Sequence, residues 1–114
     1  MIYNITPVAK PRMTRSDRWK KRNCVVKYWA FKDEIKKHNV SFENGQCLKF
    51  YIPMPKSWSK KEKTEHNGKP HQQTPDIDNL EKALFDAIFT CDKHIWHVGD
   101  KKKIWAYKGA IEIY

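Results

Sequence analysis

Residues 79–89 carry the most regular apolar pattern in the chain. Their apolar side chains recur every three or four residues, the spacing that places them on one face of an α-helix: Leu80, Ala83, Leu84, Ala87 and Ile88. We expect Asp78 to be the N-cap, because Asp is favoured there and Pro75 lies just upstream. A helix with such a stripe must be packed against another layer of secondary structure.

The partner layer is predicted to be a β-sheet. Residues 24–38 repeat apolar side chains at helical spacing and predict a first helix that ends before Asn39. The strand candidates are residues 2–6, 47–54, 94–98, 103–107 and 110–114. With 114 residues, the chain has room for one core, so a single domain over residues 1–114 is expected. The order strand, helix, strand, helix, strands predicts an α/β fold with two main helices on a small mixed sheet.

The stretch between residues 55 and 75 is polar and rich in lysine, and it interrupts this pattern. A long polar excursion in so small a domain is usually either functional or disordered. One interpretation is a solvated surface loop, and the other is a flexible basic arm that lies against DNA. The sequence leaves both open.

Charge and cysteine content narrow the class of partner. Lys and Arg number 23 against 13 Asp and Glu, a formal net charge of +10 that favours polyanions. The three cysteines are widely spaced and odd in number, which indicates a reducing cytoplasm rather than a disulfide framework. No signal peptide or membrane span is visible, so a cytoplasmic protein without a membrane partner is expected. Three further metal-binding residue types, Cys91, His94 and His97, are spaced more tightly than usual zinc ligands, so a zinc site is not expected there.

Candidate chemistry lies at the start of the 79–89 helix. In an extended segment, Asp76 and Asp78 would point to the same side, and two close carboxylates favour a cation such as Mg²⁺ between them. Lys82 follows one helical turn after Asp78, and Asp92 follows the helix. Simpler roles also fit: Asp78 as a cap, Asp76 as a partner of the helix dipole, and Lys82 as an ion-pair partner of Asp86. Spacing alone does not decide between these interpretations.

Three segments resemble the RusA family of Holliday-junction resolvases, in its phage and prophage type. They are residues 75–88 (PDIDNLEKALFDAI), residues 10–15 (KPRMTR) and residues 52–58 (IPMPKSW). The first resembles the family signature, in which Asp-x-Asp-Asn-Leu-x-Lys opens an apolar helix. The three segments occur in the family's order along nearly the whole chain.

The resemblance implies a homodimeric, Mg²⁺-dependent endodeoxyribonuclease, without a small-molecule cofactor, that resolves four-way DNA by paired symmetric cuts in recombination and repair. It also implies that Asp76, Asp78 and Asp92 bind the metal and that Lys82 completes the catalytic set. At the last acidic position the chain departs from the family, which commonly has two adjacent acids, any residue, Gln and an aliphatic. Here Cys91 replaces the first acid and His94 replaces the Gln.

DNA backbones are expected to contact basic residues in two segments. They are Lys10, Arg12, Arg15, Arg18, Lys20 and Lys21 in the first, and Lys56, Lys60 and Lys69 in the second. Two other functions remain open beside the junction resolvase. One is a nuclease that acts on other branched DNA, and the other is a catalytically inactive protein that binds branched DNA.

Overall fold

The structure, a computed structural model, describes residues 1–11 and 23–114. These residues form seven elements in the order β1 (Ile2–Tyr3), α1 (Asn23–Lys37), β2 (Leu48–Pro53), α2 (Lys60–His66), α3 (Ile77–Ile88), β3 (Lys101–Ala106) and β4 (Ala110–Ile113). The predicted α/β class is confirmed. None of the helices in this part of the chain is long and apolar enough to cross a membrane.

The four strands form one mixed sheet in the order β1-β4-β2-β3. Strand β2 pairs in parallel with β3 and antiparallel with β4, while β1 pairs antiparallel with β4. Leu48 and Phe50 of β2 alternate with less buried residues and are both fully buried. Because alternate residues of a strand face opposite sides, this pattern identifies the face of the sheet that carries the core.

The core lies between that face and the two longer helices. Helix α1 buries Val25, Tyr28, Phe31 and Ile35. Helix α3 buries its predicted stripe except for Ile88, which is half-buried, and it also buries Phe85. The two helices pack against each other and contribute to one apolar cluster with the sheet. Trp29, another large apolar residue of α1, is not part of this core, because 45% of its surface remains exposed. The tight packing holds the N-terminal end of α3 close to strand β3.

Two differences from the predicted boundaries affect the region around the start of α3. Helix α3 begins at Ile77, and Asp76 rather than Asp78 is its N-cap. Strand β3 begins at Lys101, two residues before the predicted strand at residues 103–107, and therefore includes Lys101 and Lys102. Both residues pair with β2 in the parallel ladder, opposite Leu48 and Lys49. Backbone pairing with a buried neighbouring strand therefore overrides the low strand propensity of lysine.

The predicted strand at residues 94–98 is wrong, because this segment is a loop held by one side chain. The Asn44 Oδ1 accepts hydrogen bonds from the backbone N–H groups of Trp96 at 2.9 Å and His97 at 3.3 Å. Its Nδ2 donates to the His94 carbonyl at 3.1 Å. The amide of Asn44 thus satisfies backbone groups that a neighbouring strand would otherwise have to satisfy.

The polar stretch after β2 is anchored on the sheet by aromatic rings. Ser59 caps α2 by accepting a hydrogen bond from the Glu62 N–H. The Trp58 ring lies 4.6 Å from that of His66 and 4.8 Å from that of Trp105 on β3, between ring centroids. Pro70 then forms an isolated bridge with Ile104 of the same strand. This segment is therefore a short helix docked on the edge strand, rather than an entirely extended arm or loop.

Candidate active site

The N-terminal end of α3 presents two carboxylates in different backbone settings. Asp76 adopts an extended conformation as the N-cap, and its carbonyl accepts hydrogen bonds from the N–H groups of Asn79 and Leu80. Its carboxylate is exposed and makes no capping hydrogen bond to the described residues. Asp78 lies inside the first turn, so the argument from an extended Asp76–Asp78 segment does not apply. Both carboxylates remain accessible from solvent.

Glu81 and Lys101 join Asp78 in a small charged cluster. Glu81 follows Asp78 by one helical turn, and Lys101 is the first residue of β3. The Lys101 ammonium lies 2.8 Å from Glu81 Oε2 and 3.8 Å from Asp78 Oδ1. The close contact with Glu81 is the main cause that raises the pKa of Lys101 above its ordinary value, and Asp78 adds a smaller contribution in the same direction. The ammonium therefore stays charged at neutral pH.

The buried oxygen of Glu81 is not fully satisfied by this contact. Its Oε2 has almost no solvent exposure and makes no well-oriented hydrogen bond to the described residues. The 2.8 Å separation establishes an ion pair with Lys101, but the alignment is poor for a hydrogen bond. Coulomb attraction depends on separation more than on angle, so the ion pair is stabilising despite this alignment.

Asp92 lies across a cavity from this cluster. The cavity has a volume of about 310 Å³ and is lined by Glu81, Phe85, Asp92, Ile95, Trp96 and Val98. The loop that carries Trp96 is the one fixed by Asn44. Lys82 is exposed on α3, four residues after Asp78 and therefore on the same side of the helix.

The structure brings some of the predicted residues together and leaves others apart. Within residues 1–11 and 23–114, no three His, Cys, Asp or Glu side chains are close enough to hold one metal ion. Asp78 is grouped with Glu81, and Asp92 shares a cavity with Glu81, but Asp76 joins neither contact. The assignment of Asp76, Asp78 and Asp92 to one metal site stays a prediction, as does the catalytic role of Lys82.

The donor chemistry nevertheless suits Mg²⁺. This ion prefers oxygen ligands and commonly uses only one or two carboxylates, with waters and substrate phosphate oxygens completing its coordination. Asp78 and Glu81 supply such oxygens, and the buried Glu81 Oε2 has no well-oriented hydrogen bond among residues 1–11 and 23–114. A positive group, the Lys101 ammonium, already lies between the two carboxylates. The residues of the cluster therefore fit a hard divalent cation.

The sequence did not predict a role for Glu81 in the site or the position of Lys101 beside α3. Glu81 was detectable, because residues three apart on a helix share a face. Asp100 is an exposed carboxylate immediately before β3, and its carbonyl accepts a hydrogen bond from the Leu48 N–H at 2.8 Å. Lys101 approaches α3 only because β3 occupies the edge of the sheet beside that helix, which no local pattern reveals.

The basic residues predicted to bind DNA fall into three groups. Lys56, Lys60 and Lys69 are exposed around α2. The Lys10 ammonium is partly exposed and forms an ion pair of 2.5 Å with Asp86, which also accepts a hydrogen bond from the Tyr28 hydroxyl at 3.3 Å. Asp86 therefore has partners other than the predicted Lys82. The remaining predicted residues lie outside the described part of the chain: Arg12, Arg15, Arg18, Lys20 and Lys21.

Together the fold and the site define a small, basic α/β domain with carboxylates and lysines gathered at one helix N-terminus. This is the chemistry expected of a protein that acts on phosphodiesters. The family model described as endodeoxyribonuclease RusA matches residues 4–113, and the chain belongs to that family. Comparison with curated proteins and with solved structures gives no match. Family membership confirms the resemblance drawn from the three sequence segments and implies an endodeoxyribonuclease.

Proposed function

We propose that this protein is a Mg²⁺-dependent endodeoxyribonuclease that resolves four-way DNA junctions by paired, symmetric cuts. The observation that carries the proposal is the carboxylate cluster at the start of α3, in a chain that belongs to the RusA family over residues 4–113. The net charge of +10 supports a polyanionic substrate. We place the activity in the cytoplasm.

Each group in the site has a distinct task in this proposal. Bound Mg²⁺ supplies Lewis-acid stabilisation of the charge on the scissile phosphate. Asp76, Asp78 and Asp92 hold the ion, and their exposure leaves them open to a large substrate. Lys82 places a positive charge next to the phosphate, where negative charge increases as the bond to the leaving oxygen breaks.

The remaining basic residues position the DNA. The Trp58 ring anchors α2 on β3, and this helix is surrounded by Lys56, Lys60 and Lys69. These lysines therefore approach the DNA backbone from a defined direction. Phosphate contacts of this kind fix orientation without reading sequence. A homodimer suits the reaction, because two sites related by a two-fold axis match the symmetry of a four-way junction.

The test is incubation of the purified protein with a synthetic four-way junction and with a linear duplex of the same sequence, in Mg²⁺ or in EDTA. We expect cuts in two opposing arms of the junction, in Mg²⁺ only. Cutting of flaps or forks in preference to the junction would support a nuclease for other branched DNA. Binding without cutting would favour an inactive DNA-binding protein.

A pair of variants identifies the third acidic residue. Asp92→Asn is expected to abolish cleavage, whereas Asp33→Asn, which removes an exposed carboxylate from α1, is expected to leave it unchanged. Asp100→Asn should be measured beside them, because Asp100 precedes Lys101 at the start of β3. Full cleavage by Asp92→Asn, with loss of cleavage in Asp100→Asn, would transfer the third position to Asp100.

A further inference from the structure

The inward-facing side of β3 carries a lysine where an apolar residue would be expected. Lys101 lies opposite the fully buried Leu48 in the parallel ladder, on the face of the sheet that α3 covers. Its side chain is only 33% exposed, and it reaches the first turn of α3 instead of solvent. Lysine is rarely held in this way unless a negative partner compensates for the lost hydration.

The position of the Lys101 ammonium is that of a cation between two carboxylates. Asp78 and Glu81 are one helical turn apart, so their like charges repel each other when nothing positive lies between them. The Glu81 side chain is 21% exposed and has a buried oxygen without a well-oriented hydrogen bond. Asp78 is 75% exposed, so the same position is open to solvent on its outer side.

We propose that Glu81 is a metal ligand, which shares the ion with Asp78, and that the Lys101 ammonium occupies the cation position until the ion displaces it. This inference rests on the proposed metal-dependent function. A divalent ion bonds directly to both carboxylates and satisfies the Glu81 oxygen that the ammonium leaves poorly bonded. Lys101 is on a flexible four-carbon stem and leaves by turning outward into solvent.

The inference makes metal affinity depend on Lys101 in a particular direction. Removal of a competing cation should tighten metal binding, whereas removal of a residue that supports the site should weaken it. For a partly exposed ion pair, the expected gain for Lys101→Met is roughly three- to tenfold in the dissociation constant. The matched control is Lys102→Met, which removes the same charge from the next residue of β3. Lys102 faces the other side of the sheet, so its variant should bind metal like the wild type.

The experiment titrates the DNA-free protein with Mn²⁺ and follows free Mn²⁺ by electron paramagnetic resonance, with Mg²⁺ calorimetry as a second readout. Lys101→Met should bind more tightly than both the wild type and Lys102→Met. The double variant Lys101→Met/Glu81→Gln should lose at least that gain, because one ligand is then missing. Lys101→Gln repeats the test with a polar side chain, and far-ultraviolet circular dichroism confirms that each variant is folded.

Two results would overturn the inference. Equal or weaker binding by Lys101→Met and Lys101→Gln would show that the ammonium does not compete with the ion. A double variant that binds as tightly as Lys101→Met would exclude Glu81 as a ligand. Junction cleavage is measured separately, so a wild type that cuts junctions while Lys101→Met shows no gain would refute this inference alone. A protein that binds Mn²⁺ in the expected order but cuts no DNA would refute the proposed function instead.

Discussion

His71 provides a pH-dependent test of how the segment after β2 is held on the sheet. Its surface is 4% exposed, and its ring centroid lies 4.3 Å from that of Trp105. The backbone N–H donates to the Lys103 carbonyl at 3.0 Å, while Nδ1 is buried without a hydrogen-bond partner among the described residues. Burial, and then the nearby charge of Lys103, lower the pKa of His71 below its ordinary value of 6.5. The ring is therefore neutral in the folded protein at neutral pH.

Lys103 cannot easily move away to accommodate a second positive charge. Its ammonium donates to the carbonyls of Gln73 at 2.5 Å and Pro75 at 2.6 Å, the residues that lead into α3. Protonation of His71 would place a cation in a buried site beside this fixed ammonium. Two like charges at partly buried positions repel more strongly than they do in water.

The sign of the effect follows from the lowered pKa. Below about pH 6.5 the unfolded chain binds a proton at His71 that the folded chain does not, so the free energy of unfolding falls as the pH falls. This contribution is fully present above the unfolded pKa and is lost as the pH decreases towards the folded one. The limiting slope is about 1.4 kcal/mol per pH unit, which gives at most about 1.3 kcal/mol between pH 7 and 5.5.

Urea unfolding at several pH values between about 7 and 5.5 measures this loss, because carboxylates with ordinary pKa values titrate mostly below that window. His71→Phe keeps an aromatic ring against Trp105 but cannot bind a proton, so its stability should change less with pH. His38→Gln is the control, since His38 lies in an exposed position after α1. Identical pH profiles for the wild type and His71→Phe would refute the reasoning.

Three further predictions follow from other contacts. Trp58→Ala should lower the free energy of unfolding by about 2 kcal/mol, less than the loss for a fully buried Trp. The variant should also be cleaved faster by trypsin within α2, and unchanged cleavage would contradict the docking of that helix. Asn44→Ala should cost about 1–2 kcal/mol in urea unfolding, because backbone groups of the 94–97 loop lose their partner; a stability equal to the wild type would count against that role. Asp76→Asn and Asp78→Asn should each abolish junction cleavage without weakening binding in gel shifts, since each removes negative charge near phosphates; turnover by either variant would exclude that residue as a ligand.

The two longer helices, α1 and α3, could be predicted because the information that defines them is local. Four of the five residues in the predicted apolar stripe of α3 are buried, with Ile88 half-buried, and α1 ends at Lys37, before Asn39. Asn39 has a positive φ of 51°, a conformation that Asn tolerates better than most residues and that suits a helix end. The loop at residues 94–98 was mistaken for a strand, because the interaction that forms it comes from Asn44, some fifty residues earlier. Apolar alternation alone does not indicate whether a backbone finds a strand or a side chain as its partner.

The candidate site divides in the same way between local and distant contacts. Asp78 and Lys82 share a helix, so their spacing was informative, whereas Lys101 is defined by the parallel pairing of β3 with β2. Lysine on the inward face of a strand breaks the usual alternation of buried apolar and exposed polar side chains. In β3 both inward lysines have partners at the start of α3: carboxylates for Lys101 and backbone carbonyls for Lys103. Strand β3 thereby holds the segment that leads into α3 and places the Lys101 ammonium beside the carboxylates of that helix. Two of the three consecutive lysines, Lys101 and Lys103, therefore belong to the region of the site.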